Sequence, residues 1–173
     1  MPYSVSLPAR SLFRLYALTV GVLIAASMLT TGIASACGTA PLAEIRRMTD
    51  LINAERAARN LPPVRHDPRL SQLAQQHACD MVRRNFFSHT DPRNVDFFER
   101  MRAAGMSQCQ MSENLAMRVR DADHAHRLWM GSHGHRNNIL RPVTSHVGLG
   151  IAVPRNGRDA RWVTVFAGGC RGT

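Results

Sequence analysis

Three short stretches of the chain hold most of the side chains that could do chemistry. They are "NFFSHTD" around His89, "SENLA" around Glu113 and "GSHGHRNNIL" around His135. Two imidazoles and a carboxylate could hold a divalent ion such as zinc, with water completing the coordination. They could equally form a hydrogen-bonded proton-transfer pair, because a histidine responds readily to a neighbouring carboxylate. Spacing alone does not decide between these chemistries, since no HExxH motif is present.

Helical patterns indicate which elements would position these stretches. Amphipathic spacing predicts four helices, over residues 42–60, 69–85, 95–105 and 121–132. Asp67 and Pro68 supply a cap and a first-turn proline for the second helix. We expect Phe98 to point into the core from the third helix, and Leu128 and Trp129 from the fourth.

The sequence pattern changes from helical to β-rich after Pro142. The runs "HVGLGIAV" and "WVTVFAGG" are typical of β-strands, and Asn156-Gly157 between them is a strong hairpin signal. Helices followed by antiparallel strands, without a βαβ rhythm, predict an α+β domain in which helices cover a small sheet.

The first 36 residues read as a secretion signal. Arg10 and Arg14 precede a long uncharged run that ends in Ala34-Ser35-Ala36, a small-x-small cleavage pattern. We therefore expect residues 1–36 to be a signal peptide, residues 37–173 to form one domain, and the protein to be secreted or periplasmic. The alternatives are an uncleaved membrane anchor, because the run is long enough to span a bilayer, and lipid attachment at Cys37.

The chain is strongly basic, with a formal net charge of +10 over its 173 residues. Two of its 22 arginines and no acidic residue lie in the leader, which leaves +8 on residues 37–173. Such a surface favours anionic partners. The arginines are nevertheless dispersed and lack interleaved aromatic residues, so specific nucleic-acid binding is not expected.

Four cysteines follow the leader, at positions 37, 79, 109 and 170. An even number in an exported chain suggests two disulfides, with three alternative connectivities. We predict Cys79–Cys109 and Cys37–Cys170, the second of which would tie the start of the mature chain to its end.

The ordered motifs together resemble the CAP superfamily, which includes cysteine-rich secretory proteins, insect antigen 5 and plant pathogenesis-related 1 proteins. "FFSHTD", "SENLA", Trp129 with "GSHGHRNNIL", and the two closing β-runs are similar to the successive signatures of its bacterial single-domain secreted branch. The resemblance covers residues 45–169. It implies an α-β-α sandwich with a small antiparallel sheet and a shallow central cavity.

In many members of that superfamily two histidines and two glutamates meet in the cavity and can bind zinc. The resemblance places His89 and His135 as the histidines and Glu113 as the first glutamate. Ser132 stands where the second glutamate would lie. Losing a carboxylate removes a charge and a ligand oxygen, so we expect a polar cavity with weakened affinity for a divalent metal.

The predicted function is that of a non-enzymatic, monomeric extracellular binding module, not embedded in the membrane once the leader is cleaved. Its ligand would be a lipid, a cell-wall polymer or a protein. One alternative is a metal-assisted hydrolase, peptidase-like, that uses His89, His135 and Glu113 around one ion. Another is a serine nucleophile at Ser132 with His135 as base and Glu113 as orienting acid, although no nucleophile-elbow motif accompanies it.

Overall fold

Helices cover both faces of a four-stranded sheet in the computed structural model, which describes residues 37, 39–106 and 110–169. The helices are α1 (Leu42–Ala57), α2 (Pro68–Arg83), α3 (Phe97–Ala103), α4 (Ala122–Gly131) and α5 (His133–Ile139). The strands are β1 (Arg65–His66), β2 (Gln110–Met117), β3 (Thr144–Ala152) and β4 (Arg161–Gly168). The predicted leader lies outside the described residues.

The strand order is β1-β3-β4-β2, which makes β2 an edge strand. The pairs β3–β4 and β4–β2 are antiparallel, whereas the two-residue β1 runs parallel to its neighbour β3. The α+β sandwich predicted from the sequence is therefore confirmed, with a mixed sheet in place of a purely antiparallel one.

Local capping signals explain where the helices begin and end. The Asp67 side chain accepts a hydrogen bond from the backbone N–H of Arg69, and Pro68 occupies the first turn of α2. Asp96 and Glu99 form a reciprocal capping box at the start of α3. Gly105 follows α3 with a φ of +71°, a conformation that favours glycine.

Two hydrophobic layers hold the sandwich together, one on each face of the sheet. Residues of α1, α4 and α5 pack on one face, where Trp129 is 1% exposed and its indole N–H donates to the carbonyl of Leu115 at 3.0 Å. Residues of α2 and α3 pack on the other face, around Leu70 and Met101. Alternate residues of each strand supply the two layers, as the pleat requires.

Helix α2 lies unusually close to β3 because two glycines face it. A Cβ at Gly148 would collide with the backbone of Leu70 and Ser71, and one at Gly150 with the backbone of Ala74 and Gln75. The close approach lets α2 side chains bond to the strand. Ser71 Oγ accepts from Leu149 N at 3.0 Å, and the Gln75 amide both accepts from Ile151 N and donates to Ile151 O. These bonds cover the part of the β3 edge that the short β1 leaves open.

Two burial predictions were wrong. Phe98 is 54% exposed and Leu128 is 49% exposed, whereas their neighbours Phe97 and Trp129 are buried. Adjacent positions on a helix point about 100° apart, so only one residue of each apolar pair can face the sheet.

The predicted disulfide pairing was also wrong, because Cys79 is bonded to Cys37, with 5.8 Å between their Cα atoms. The segment that precedes α1 brings Cys37 to α2, where the Gln75 amide nitrogen contacts both sulfur atoms. Neither Cys79–Cys109 nor Cys37–Cys170 can form in this arrangement, and Cys109 and Cys170 lie outside the described residues. The disulfide also occupies the Cys37 thiol that lipid attachment would need.

No helix among the described residues is long and apolar enough to cross a membrane.

Candidate functional site

The centre of the candidate site is a hydrogen-bonded pair of His89 and Glu113. Glu113 lies in β2, where its side chain is 2% exposed and faces the α2–α3 layer. His89 follows α2 in a loop, and its Nδ1 lies 2.8 Å from Glu113 Oε1. The His89 side chain is 52% exposed, so its outer edge is open to solvent. A proton on Nδ1 leaves Nε2 as the free acceptor of a neutral ring.

Arg100 closes the other side of the same carboxylate. Its Nη2 donates to Oε1 at 3.1 Å and to Oε2 at 3.0 Å of Glu113, and its Nη1 donates to the carbonyl of His89 at 2.7 Å. Both carboxylate oxygens of Glu113 are thus engaged by protein donors, and the guanidinium neutralises the buried charge. Sequence reasoning did not single out Arg100, because an arginine in a short amphipathic helix usually lies on the solvent-exposed face.

The loop that carries His89 is held by a buried histidine of α2. His77 is 3% exposed, and its Nε2 lies 2.9 Å from the Ser88 carbonyl, to which it donates. Burial lowers the pKa of His77, which favours the neutral ring.

His135 lies in α5, on the other side of the edge strand from Glu113, where its carbonyl accepts a hydrogen bond from Asn114. Burial, followed by repulsion from His89, lowers the pKa of His135, so the neutral ring is favoured there as well. Ser132 ends α4 and precedes α5, and its hydroxyl makes no side-chain cap to α5. Within the described part of the chain, Ser132 Oγ has no hydrogen bond to His135 or Glu113, so the structure does not assemble a serine nucleophile with these partners.

Asn114 anchors α5 to β2 and was not predicted as a site residue. It is fully buried, its Nδ2 donates to the His135 carbonyl at 3.1 Å, and its Oδ1 accepts from Asn138 at 2.8 Å. Because neighbouring strand residues point to opposite faces, Glu113 and Asn114 together fix both sides of the site. Asn114 directly follows the glutamate in the "SENLA" motif, but nothing in the sequence showed that it would be buried and bonded to α5.

Asp91 shapes the loop that follows His89. Its carboxylate is 3% exposed and accepts hydrogen bonds from the backbone N–H groups of Arg93 and Val95 and from the guanidinium of Arg84. Burial alone would raise the pKa of Asp91, but these bonds and that of the Arg93 side chain outweigh it and lower the pKa well below its usual range.

We expect Asp91→Asn to melt several degrees below the wild type at pH 7, because the charge that organises the loop is gone. A depressed folded pKa stabilises the fold fully above the ordinary pKa of about 3.9, and this effect is lost progressively as the pH falls from there to the much lower folded pKa. The difference in melting temperature should therefore shrink as the pH approaches about 3. Thermal unfolding from pH 7 to pH 3 measures this, with the exposed Asp159→Asn as the control. A difference that stays constant with pH would contradict the account.

The donor set does not fit a metal centre. Among residues 37, 39–106 and 110–169, no three His, Cys, Asp or Glu side chains converge so as to hold an ion. Glu113 is committed to Arg100 and His89, which leaves two imidazoles, fewer than the three protein ligands typical of catalytic zinc. A guanidinium on the carboxylate also repels a cation.

Helices on both faces of a four-stranded sheet form the α-β-α sandwich expected of the CAP class of domain. Residues 49–166 match the family model described as the cysteine-rich secretory protein family, and the chain belongs to that family.

Two proteins from bacilli are similar to this chain. It is 35% identical over 105 residues to the uncharacterized protein YkwD of Bacillus subtilis, a match that spans 61% of this chain and 41% of YkwD. An extracellular protein from Bacillus anthracis that contains an SCP domain is similar in structure, with 28% identity and a TM-score of 0.63 over 72% of this chain and 40% of that one. This chain therefore spans less than half the length of either protein.

An outer surface protein from Borrelia burgdorferi shares the fold, with a TM-score of 0.66 and 18% identity. That match covers 72% of this chain and 92% of the Borrelia protein.

Proposed function

We propose that this chain is a non-enzymatic binding module that acts outside the cytoplasm, secreted or periplasmic, and that its ligand is a lipid, a cell-wall polymer or a protein. The observation that carries the proposal is the state of Glu113, a carboxylate that is 2% exposed and takes hydrogen bonds from both Arg100 and His89. Its role is to join α3, β2 and the loop after α2.

In a hydrolase this carboxylate would have a catalytic role, and its contacts do not fit one. As a metal ligand or a general base, Glu113 would have to present a free oxygen to an ion or to a water. As the orienting group of a histidine base, it would have to stabilise an imidazolium, which the neighbouring Arg100 opposes. The arrangement supports a structural role for the Arg100–Glu113 ion pair, and the exposed edge of the neighbouring His89 borders a ligand surface.

Extracellular placement is supported by the sequence of residues 1–36 and by the disulfide between Cys37 and Cys79, because structural disulfides persist in oxidising compartments. The structural neighbours from Bacillus anthracis and Borrelia burgdorferi, described as extracellular and outer surface proteins, agree with it.

The test combines turnover with ligand recovery. The purified protein, His89→Ala and the control His146→Ala, which alters an exposed histidine away from the site, are assayed on labelled casein and on a chromogenic ester, with and without added zinc. We expect no turnover above buffer in any sample, and one compound recovered by organic or acid extraction in near-equal amount to the protein. Zinc-dependent turnover that His89→Ala abolishes and His146→Ala retains would overturn the proposal.

A further inference from the structure

Three strands of the sheet end level with one another. Arg161, the first residue of β4, pairs with Met117 at the end of β2 and with Ala152 at the end of β3. Two segments continue from this end of the sheet, residues 118–121 between β2 and α4 and residues 153–160 between β3 and β4. We call these two segments together the sheet-end surface.

The fold concentrates positive charge on the sheet-end surface. Its 12 residues contain two aspartates and four arginines, at positions 118, 120, 155 and 158. By contrast, eight acidic residues accompany the eleven arginines of residues 42–106, so that charges of opposite sign nearly balance there. Arg120 and Arg155 are 35 positions apart in the sequence, and the strand register brings them to the same end of the sheet.

The four arginines are all exposed. The Arg118 side chain is 72% exposed, and its Nε donates to Asp159 at 3.1 Å, which leaves its two Nη groups available to a ligand. Arg120, Arg155 and Arg158 form no ion pair with any other residue that the structure describes. The surface therefore presents several guanidinium groups whose donors are not used within the fold.

Arg161 does not belong to this surface. It is only 9% exposed, and its guanidinium lies 5.9 Å from the centre of the Phe87 ring. Its Nη1 donates to the carbonyl of Asp159, which follows the turn. Arg161 and Arg118 thus both bind Asp159, one through its backbone and one through its carboxylate, and hold the turn against the end of β2.

Hydrogen bonds fix the backbone that carries Arg155 and Arg158. The N–H of Gly157 donates to the carbonyl of Pro154 at 2.8 Å, which closes a four-residue turn with Arg155 at its second position. The Asn156 side chain then accepts from the N–H of Arg158 at 2.9 Å. Because the turn is already formed, little backbone freedom is lost when a ligand binds to it.

We propose that the sheet-end surface binds a linear polyanion of the cell wall, a flexible polymer whose units are joined by phosphodiesters. Guanidinium groups bind phosphate oxygens through paired N–H donors, and several such groups on one surface contact successive phosphates of one chain. This assignment rests on the proposed binding function, but it uses residues other than the His89–Glu113 pair.

Two other anionic partners fit the surface less well. The sheet-end surface contains no aromatic residue on which a nucleic-acid base could stack. Among the exposed large hydrophobic residues of the described chain, Val153 alone lies in it, so it has little apolar area to insert into a bilayer. A flexible polymer needs neither feature, because its phosphates are the groups that are bound.

Fluorescence anisotropy with a labelled synthetic poly(glycerol phosphate) tests the proposal on the folded protein. We expect saturable binding that weakens at least about tenfold when NaCl rises from about 50 mM to about 200 mM, because each neutralised phosphate releases counterions. Uncharged dextran of matched length should not bind. Oligothymidylate and phosphatidylglycerol vesicles, at equal phosphate concentration, should bind no more tightly than the polymer.

Two quadruple variants with the same net charge show where the polymer binds. The first is Arg118→Gln/Arg120→Gln/Arg155→Gln/Arg158→Gln. The control changes one exposed arginine in each of α1 to α4 and is Arg46→Gln/Arg69→Gln/Arg102→Gln/Arg127→Gln. In about 150 mM NaCl, where charges more than about 8 Å away are largely screened, the first should bind at least about tenfold more weakly and the control less than about twofold.

Both variants should melt within a few degrees of the wild type, because exposed charges contribute little to stability. If the first variant fails to fold, Arg155→Gln/Arg158→Gln, which is confined to the exposed turn, replaces it, with Arg46→Gln/Arg69→Gln as its control. The turn variant should then bind at least about threefold more weakly than its control.

An equal loss in the sheet-end variant and its control would show that net charge alone attracts the polymer, and would overturn the proposal. Tighter binding of oligothymidylate or of the vesicles would assign the surface to nucleic acid or to a membrane and would overturn it too. Absence of saturable polymer binding would also overturn it, while leaving the binding-module function intact. Zinc-dependent turnover that requires His89 would instead overturn that function, so the two failures are distinguishable.

Discussion

Gly148→Ala is expected to destabilise the fold by about 3 kcal/mol or more, or to prevent folding altogether. The added methyl group would meet backbone atoms of Leu70 and Ser71, which cannot rotate away as a side chain could. Relief requires α2 to lift from β3, and that movement would break the bonds of Ser71 and Gln75 to the strand. Urea unfolding measures the effect as a lower midpoint.

Gly134→Ala is the matched control. Gly134 lies in α5, where an added methyl group would have open space around it. Apart from the backbone of its own helix and its chain neighbours, no atom lies within 4 Å of that position. Alanine is also the better helix former, so stability should stay equal or rise by up to about 1 kcal/mol. If Gly148→Ala unfolded at the same urea concentration as the wild type, the close packing of α2 on β3 would be refuted.

Arg56→Met should cost about 3 kcal/mol or more, although methionine fills much of the same space. Arg56 is fully buried, and its guanidinium donates to the carbonyls of Pro62, Ile139, Arg141 and Thr144 at 2.7 to 3.0 Å. Burial lowers the pKa of this guanidinium. Removing the donor leaves buried carbonyls without partners where α1, α5 and β3 meet.

Arg56→Lys should not restore stability, because the four carbonyls are arranged around the planar guanidinium. The ammonium group of a shorter lysine side chain cannot donate to all of them. Arg59→Met is the control, since Arg59 is exposed and pairs with Glu55 one turn earlier on the surface. The measurement is again the free energy of unfolding in urea. Similar losses in Arg56→Met and Arg59→Met would show that the buried carbonyl cluster contributes little.

Local signals predicted α1 to α4, because their causes lie within a few residues, whereas the short α5 (His133–Ile139) was not predicted. Asp67, Pro68 and Gly105 mark helix ends by hydrogen bonding or by backbone conformation alone. The β3–β4 hairpin was predictable for the same reason. The parallel β1 was not, because two residues carry no periodicity and their pairing depends on a strand about 80 residues further along the chain.

The site was predicted in part. His89, Glu113 and His135 came from a resemblance of motifs, and the structure pairs the first two directly. Arg100 and Asn114 were missed, because their roles arise only when α3 and α5 meet β2 in three dimensions. The disulfide prediction was wrong for a related reason. Four cysteines allow three connectivities, and the path of the folded chain determines which of them forms.

Arg100 connects α3 to the candidate site. Its guanidinium binds Glu113 and the carbonyl of His89. The negative charge of Glu113 pairs with Arg100 and holds α3 beside the sheet, so it is not available to a metal ion.

Zinc binding measured by titration calorimetry tests the central claim most directly. The wild type, His89→Ala and the control His146→Ala are titrated with zinc chloride at pH 7.5, so that the loss of weak binding by one exposed histidine is common to the two variants. If Glu113 is committed to Arg100 and His89, the titrations of the two variants should be indistinguishable. One stoichiometric, high-affinity zinc ion in the wild type that His89→Ala abolishes would contradict the account.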